Sequence, residues 1–322
     1  MKIAFVGKGG SGKTTLTSLF ARHLAASGSP VLAFDADINQ HLGAALGLSD
    51  EDGAEMPTLG GNLPMIKKYL RGHNPRIPDA DTMVKTTPPG SGSRLLSVVE
   101  DNPIYERCVR DADGVRFAAT GPFTDEDLGV ACYHSKVGAA EMLLNHLVDD
   151  RGEYVVVDMT AGADAFASGL FTRFDVTFLV CEPTVRSLGV HRQYLDYASD
   201  YDVRIAAVGN KITDDEDRDF LRSRLGDELL TCLSSSRHVR AAERGELRPI
   251  GELEADNTAA LTEMRGLVDG VEKDWAKYQR QAVDVHLRNA DARGDGTGHD
   301  LAEQIDPDFQ HGPAALIPTA GV

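Results

Sequence analysis

The sequence has no long apolar run, so it offers no stretch able to cross a bilayer as a helix. Its first apolar segment, Ile3–Val6, is too short for the hydrophobic core of a signal peptide. Basic residues are scarce: 33 Lys and Arg stand against 50 Asp and Glu, for a formal net charge of −17. That balance argues against a nonspecific nucleic-acid face and against docking on anionic lipid. Cysteines are few, and Cys108, Cys132, Cys181 and Cys232 come with no secretory leader, which points to reduced thiols and a cytoplasmic protein. No internal repeat divides the chain. What remains is 322 residues, 42% of them apolar, enough for one large α/β domain or two small ones.

The most informative stretch follows the first apolar segment. Residues 7–15 read Gly-Lys-Gly-Gly-Ser-Gly-Lys-Thr-Thr, which fits G-x-x-x-x-G-K-[ST], the phosphate-cradling P-loop. Glycines let successive backbone N–H groups converge on one anion without Cβ clashes. Gly9, Gly10, Ser11, Gly12 and Thr15 supply that cradle, and Lys13 adds a point charge for the β- and γ-phosphates. The Thr14 hydroxyl is placed to ligate Mg²⁺, and the helix opening there turns its positive end to the same phosphates.

Apolar segments alternate with helical ones along the chain. A helix over about 14–27 carries Leu16, Leu19, Phe20 and Leu24 on one face, with Gly28 at its C′ position. Strands are expected at 30–34, 115–120, 154–158, 175–180 and 203–208, with a helix over about 135–147. The pattern predicts an α/β fold, a mostly parallel, doubly wound sheet flanked by helices, with residues 1–270 as the domain. Residues 50–93, rich in Pro, Gly and charge, read as an irregular insertion. A long C-terminal helix is expected from an Asp256 or Asn257 cap, with a heptad-like seam from Leu261 to Val285 and residues 271–293 as an extension beyond the domain. The tail, 294–322, has the composition of a disordered segment.

Polar residues cluster at the carboxyl ends of these strands, where open α/β sheets bind ligands. They are Asp35 and Asp37, Asp158 with Gly162 four residues on, and Asn210 with Lys211. Lys8, the second residue of the loop, adds a further cation.

With Lys8 in place, the chain resembles the SIMIBI-class deviant Walker A ATPases, the MinD/ParA superfamily. The resemblance covers about residues 1–270, less well over 50–93, and implies ATP and Mg²⁺ as ligands, with slow ATP hydrolysis. It also implies an ATP-dependent homodimer in which Lys8 reaches the partner's nucleotide. By the same resemblance Asp37 orients the attacking water and Asp35 supports Mg²⁺ through a water. Asp158 and Gly162 belong to the second switch, Asn210 reads adenine, and Leu247–Ile250 closes over the base. Within the class the chain is most similar to the CooC-like ATPases, which help load nickel into carbon monoxide dehydrogenase. The likeness rests on Asp-Ala-Asp-x-Asn, a cysteine ahead of a helix, Ala-Gly after Asp158, and Glu-Pro-Thr at 182–184.

One departure matters. CooC-like proteins carry Cys-x-Cys at the dimer interface, whereas this chain reads Cys132-Tyr133-His134. Cys and His are both ligands for Zn²⁺ or Ni²⁺, so two subunits would supply four. Three readings stay open. One is a dimeric metallochaperone or maturation ATPase with a client metalloenzyme. Another is a MinD/ParA-type positioning or regulatory ATPase switch, without a metal site. A third is an iron–sulfur reductase subunit using Cys108 and Cys132, although the glycine-rich surroundings of such cluster cysteines are missing. No nucleic-acid partner and no stable membrane insertion are expected.

Overall fold

The computed structural model describes residues 1–122, 134–166, 168–293 and 300–316. In chain order the strands are β1 (Lys2–Gly7), β2 (Val31–Ala36), β3 (Leu96–Ser97), β4 (Arg110–Ala112), β5 (Val115–Ala119), β6 (Leu147–Val148), β7 (Tyr154–Met159), β8 (Val176–Cys181), β9 (Ile205–Ile212) and β10 (Leu229–Ser234). The helices are α1 (Lys13–Ala26), α2 (Leu42–Ala45), α3 (Asp50–Glu55), α4 (Leu63–Arg71), α5 (Pro103–Cys108), α6 (His134–His146), α7 (Val185–Ala198), α8 (Asp215–Leu225), α9 (Arg237–Ala242), α10 (Ala255–Asp269) and α11 (Trp275–Arg293). Eight strands form one sheet in the order β10-β9-β8-β1-β7-β2-β5-β4, parallel except for β4, and β3 pairs with β6 apart from it.

The central strands β1, β2, β7 and β8 are buried at every residue, as expected of a parallel sheet covered on both faces. Alternation then sends neighbours to opposite cores. Ala4 and Val6 pack with residues of α4 to α8, while Ile3 and Phe5 pack with α1 and α10. On the second face Phe5, Phe20 and Phe178 form an aromatic trio with centroids 5.4–5.7 Å apart. The sheet is mostly parallel, doubly wound and flanked by helices, as expected from the sequence. No helix among the described residues is long and apolar enough to cross a membrane.

The structure corrects the sequence reading in three places. The insertion at 50–93 is not all irregular: α4 starts on Pro64 in its first turn and buries Ile66 and Leu70. Its apolar residues follow helical spacing, but two lysines and the flanking Pro and Gly residues mask the pattern. The single C-terminal helix is two. Glu254, rather than Asp256 or Asn257, occupies the N-cap of α10, and the helix stops at Gly270. The seam splits accordingly. Leu261, Met264 and Val268 bury against α1 and the sheet, whereas Tyr278 on α11 accepts a bond at its carbonyl from Arg173 at 3.0 Å. The tail was expected to be disordered from 294 onward, yet residues 300–316 pack. Leu301 is buried and its carbonyl meets His286 Nε2 at 2.8 Å. Gln304 bonds Thr82 and Thr87, and His311 stacks on Trp275 at 5.0 Å. A few buried contacts outweigh a polar composition there.

At the amino ends of the strands a buried ion network ties α11 to the sheet. Lys2 lies 3.0 Å from Asp149, and Lys273 bridges Asp149 at 2.8 Å and Asp175 at 2.7 Å. Burial alone would raise the Asp149 carboxyl, but Lys2 and Lys273 outweigh it and hold the group well below the usual range. Beside this network sit two buried, neutral histidines. Burial pushes His146 down to about 4 and His311 down to about 3, and each makes one bond to a main-chain carbonyl.

A folded-state pKa below the unfolded value gives stability that is present above about pH 6.5 and lost as pH falls toward the folded value. Between pH 7 and 5, His146 is expected to remove roughly 1–2 kcal/mol from wild type. Urea unfolding of wild type and His146→Gln at both pH values checks this. The stability advantage of wild type should shrink by that amount in acid, and an unchanged difference would refute the assignment.

Candidate nucleotide site

The site forms where β1 hands over to α1. Gly7 leaves the strand at φ +149°, and a Cβ there would stand 2.6 Å from the Val180 carbonyl oxygen, so only glycine lets the loop pass over β8. Gly12 sits at φ +91° as the N-cap of α1 and offers no side-chain cap, so the first-turn N–H groups have no side chain to satisfy them. A buried Ser11 hydroxyl without a partner lies in the same loop. Free N–H groups and an orphaned hydroxyl at a helix start suit an anion.

Beneath the loop three carboxylates cluster, two of them facing one lysine. In the register of the sheet Asp35 of β2 stands directly opposite Asp158 of β7. Thr14 donates to Asp158 at 2.5 Å, and the Lys13 ammonium lies 3.9 Å from Asp37. Asp35 accepts from the backbone N–H groups of Asp37 at 3.0 Å and Leu42 at 2.8 Å, and Asp37 accepts from Asn39 at 2.9 Å. Burial, reinforced by the Asp37 charge and opposed by Thr14 and Lys13, pushes Asp158 up to about 7. Burial and then the charge of Asp158 drive Asp35 well above the usual range. The site is short of positive charge.

Asn210 and Lys211, at the end of β9, close the loop from the other side. Asn210 Nδ2 donates to the Ser11 carbonyl at 2.8 Å, and Lys211 donates to the Gly10 carbonyl at 2.5 Å. A cavity of about 160 Å³ opens beside them, lined by Gly12, Thr15, Leu16, Asn210, Lys211 and residues 233–236. Residues 247–250 do not line it. Leu247 packs at Gly47, and the Arg248 carbonyl accepts from Arg22 of α1 at 2.5 Å. Gly162, at φ +67°, begins a 3-10 turn whose first carbonyl accepts from Tyr194 at 3.2 Å; its neighbour Ala161 lies under Gly9.

The structure thus brings together Lys8, the P-loop residues Gly9 to Thr15, Asp35, Asp37, Asp158, Asn210 and Lys211, with Gly162 at the border. Cys132 and the side chain of His134 lie outside the described residues, so the interface metal ligands are not part of this geometry. Among the described residues no group of three or more His, Cys, Asp or Glu is arranged to hold a metal ion. Cys108 and Cys181 are buried thiols, and burial pushes Cys181 up to about 12. Sequence reasoning missed Gln40 and Thr120, which brace Asp35: Thr120 donates to its carbonyl at 2.9 Å, and Gln40 reaches Thr120 at 3.2 Å. It also missed Glu182, which pairs with both Lys8 at 3.3 Å and Lys211 at 2.9 Å. A positive φ at non-glycine Gln40 exists only in the folded chain, whereas the Glu-Pro-Thr run was a visible signal.

A model of the CobQ/CobB/MinD/ParA nucleotide-binding domain matches residues 3–248. The chain belongs to this family. Its relatives include the carbon monoxide dehydrogenase accessory protein CooC of Rhodospirillum rubrum, 30% identical over 249 residues, which span 77% of this chain and 88% of that protein. An uncharacterized ATP-binding protein of Methanocaldococcus jannaschii is 27% identical over 230 residues, 71% of this chain and 81% of the relative. Among solved structures, a ParA family ATPase from Chlorobium tepidum superposes with a TM-score of 0.57 at 15% identity, covering 82% of this chain and 97% of that one. A chain of the MinC:MinD cell division complex of Aquifex aeolicus gives 0.53 at 18%, covering 85% and 97%. At such identities the structural likeness carries the fold of the MinD/ParA domain, and the family match carries nucleotide binding.

Gly12 offers a direct check on the loop. A Cβ there would stand 2.3 Å from Asn210 Nδ2, in a backbone region L-residues rarely enter. Gly12→Ala is expected to weaken nucleotide binding at least tenfold, read by isothermal titration, because the loop and Asn210 must move apart. Unchanged affinity in the variant would refute this loop geometry.

Proposed function

We propose that the chain is a nucleotide-switched ATPase that works as a homodimer and serves as a metallochaperone or maturation factor. The observation that carries the ATPase part is the cluster of Asp35, Asp37 and Asp158 around Lys13 and Thr14 beneath a P-loop. Phosphoryl transfer to water requires positioning and charge neutralisation more than covalent chemistry. Lys13 meets the β- and γ-phosphates, and the backbone of residues 9–15 cradles them. Asp37, next to Lys13, orients the attacking water. Asn210, beside the 160 Å³ cavity, meets the base.

The donor set fits Mg²⁺, a hard cation that prefers oxygen ligands. Thr14 and Asp35 would hold it, with Asp158 behind, and the upward displacement of both buried carboxyls fits a site built to receive more positive charge than Lys13 brings. When bound, Mg²⁺ supplies charge neutralisation between the phosphates. Lys8, on the exposed side of the loop, acts on the partner's nucleotide.

The maturation reading draws on the relation to the accessory protein CooC and on Cys132 and His134, whose thiolate and imidazole would together suit Zn²⁺ or Ni²⁺ at the dimer interface. The alternative, a MinD/ParA-type positioning or regulatory switch without metal, draws on the structural relatives, several of them MinD and ParA proteins.

Isothermal titration beside a phosphate-release assay tests the ATPase. Lys13→Ala is expected to abolish tight ATP binding. Asp37→Ala should keep binding and lose turnover about 10²-fold or more, the scale of a lost proton-handling group. Normal hydrolysis in Asp37→Ala would overturn the assignment. Metal content separates the two readings of biological role. Wild type purified without chelators should hold zinc or nickel near one per dimer, and Cys132→Ser should lose it. A metal-free ATP-bound dimer would favour the switch.

A further inference from the structure

β9, β8 and β1 lie side by side in the sheet, all parallel, and β9 runs three residues past the position level with the end of β8. Gly7 pairs with Val180, and Cys181 pairs with Gly209. The residues that follow these paired positions therefore fall in a row, Lys8 and Glu182 just past the ends of β1 and β8 and Lys211 within the last stretch of β9. Glu182 lies 3.3 Å from Lys8 through one carboxylate oxygen and 2.9 Å from Lys211 through the other. One acid thus holds two ammonium groups, one on each flank.

The holder is fixed in place. The Glu182 backbone N–H donates to the Ser187 hydroxyl at 3.0 Å, and Thr184 caps α7 by accepting from the Ser187 N–H at 3.2 Å. The held group is loose by comparison. The Lys8 side chain is 34% exposed, against 7% for Lys13. Two cations share one carboxylate, so Lys8 can leave while Glu182 stays paired with Lys211. Release strands no buried charge, which is the costly outcome when an ordinary ion pair is broken.

We propose that Glu182 is a positioning residue that parks Lys8 on its own subunit and so sets the threshold for nucleotide-dependent pairing. The proposal rests on the reading above that Lys8 acts on the partner's nucleotide. A single ammonium cannot sit on Glu182 in cis and on a γ-phosphate in trans. Pairing of two subunits must break the Lys8–Glu182 contact, twice per symmetric dimer. A partly exposed pair of this kind shifts an equilibrium by about threefold to fivefold.

Two measurements on the full chain test this. The first reads the contact in the monomer: the rate at which Lys8 is acetylated by trace acetic anhydride, followed by mass spectrometry, in wild type and Glu182→Gln. Removing the carboxylate should speed labelling of Lys8 severalfold and leave exposed lysines such as Lys68 unchanged. The second reads pairing by light scattering against protein concentration with ATP, in wild type, Glu182→Gln, Lys8→Ala and the double variant. Glu182→Gln should lower the concentration at half-dimerisation at least threefold, and the change should vanish in the Lys8→Ala background. Unchanged labelling, or an equal effect of Glu182→Gln with and without Lys8, overturns the proposal. Faster labelling with no ATP-dependent dimer in any form would overturn pairing itself, and with it the gating role, while leaving the cis contact standing.

Discussion

Three carboxylates buried together, with one lysine beside two of them, form the constraint on which the rest of this structure depends. Asp35 and Asp158 are fully buried, and Asp37 nearly so. Lys13 lies 3.9 Å from Asp37 and its charge acts on Asp158, while Asp35 faces Asp158 with no cation of its own among the described residues. Burying like charges together is unfavourable, and both Asp35 and Asp158 are displaced upward as a result. The arrangement persists because the parallel register leaves it little choice. Once β2 and β7 pair along their apolar lengths, Asp35 and Asp158 arrive opposite each other. Backbone N–H groups from Asp37 and Leu42 and the hydroxyl of Thr14 offset part of the cost.

The two edges of the sheet treat charge differently. At the amino ends, Lys2, Lys273, Asp149 and Asp175 balance one another, and Asp149 is held ionised. That edge is a clasp, joining the segment just before α11 to β1 and to the residue after β6. At the carboxyl ends the acids outnumber the cations within reach, and a helix start with no side-chain cap faces them. Stability is concentrated at one edge and unsatisfied binding capacity at the other. A nucleotide with its cation complements the second edge in both sign and shape.

The outer ring of the site ties its parts together. Asn210 and Lys211 bond the carbonyls of Ser11 and Gly10, so the end of β9 and the P-loop move as one unit. Glu182 joins Lys8 to the same unit. Tyr194 of α7 holds the turn after β7 through the Gly162 carbonyl, and α7 is itself capped beside Glu182. A change at the γ-phosphate position therefore has short, bonded routes to the loop after β8 and to α7.

The sequence by itself determined the local chemistry. Residues 7–15 define a P-loop because glycine, lysine and threonine at those spacings act through short-range geometry, and the apolar runs around Asp35 and Asp158 announce buried parallel strands. The first helix, with Gly28 at its end, was legible for the same reason. Tertiary structure alone decided what depends on distant partners. Glu182 became a bridge only because β8 lies between β1 and β9, an order that no local pattern encodes. Gly270 ends α10, and between it and α11 Lys273 pairs with Asp149 and Asp175, far away in sequence. Residues 300–316 are ordered by Thr82, Thr87, His286 and Trp275, contacts worth more than the polar composition of the segment. Short-range rules fix which residues meet a phosphate, while the order and register of the strands fix which charges stand beside them.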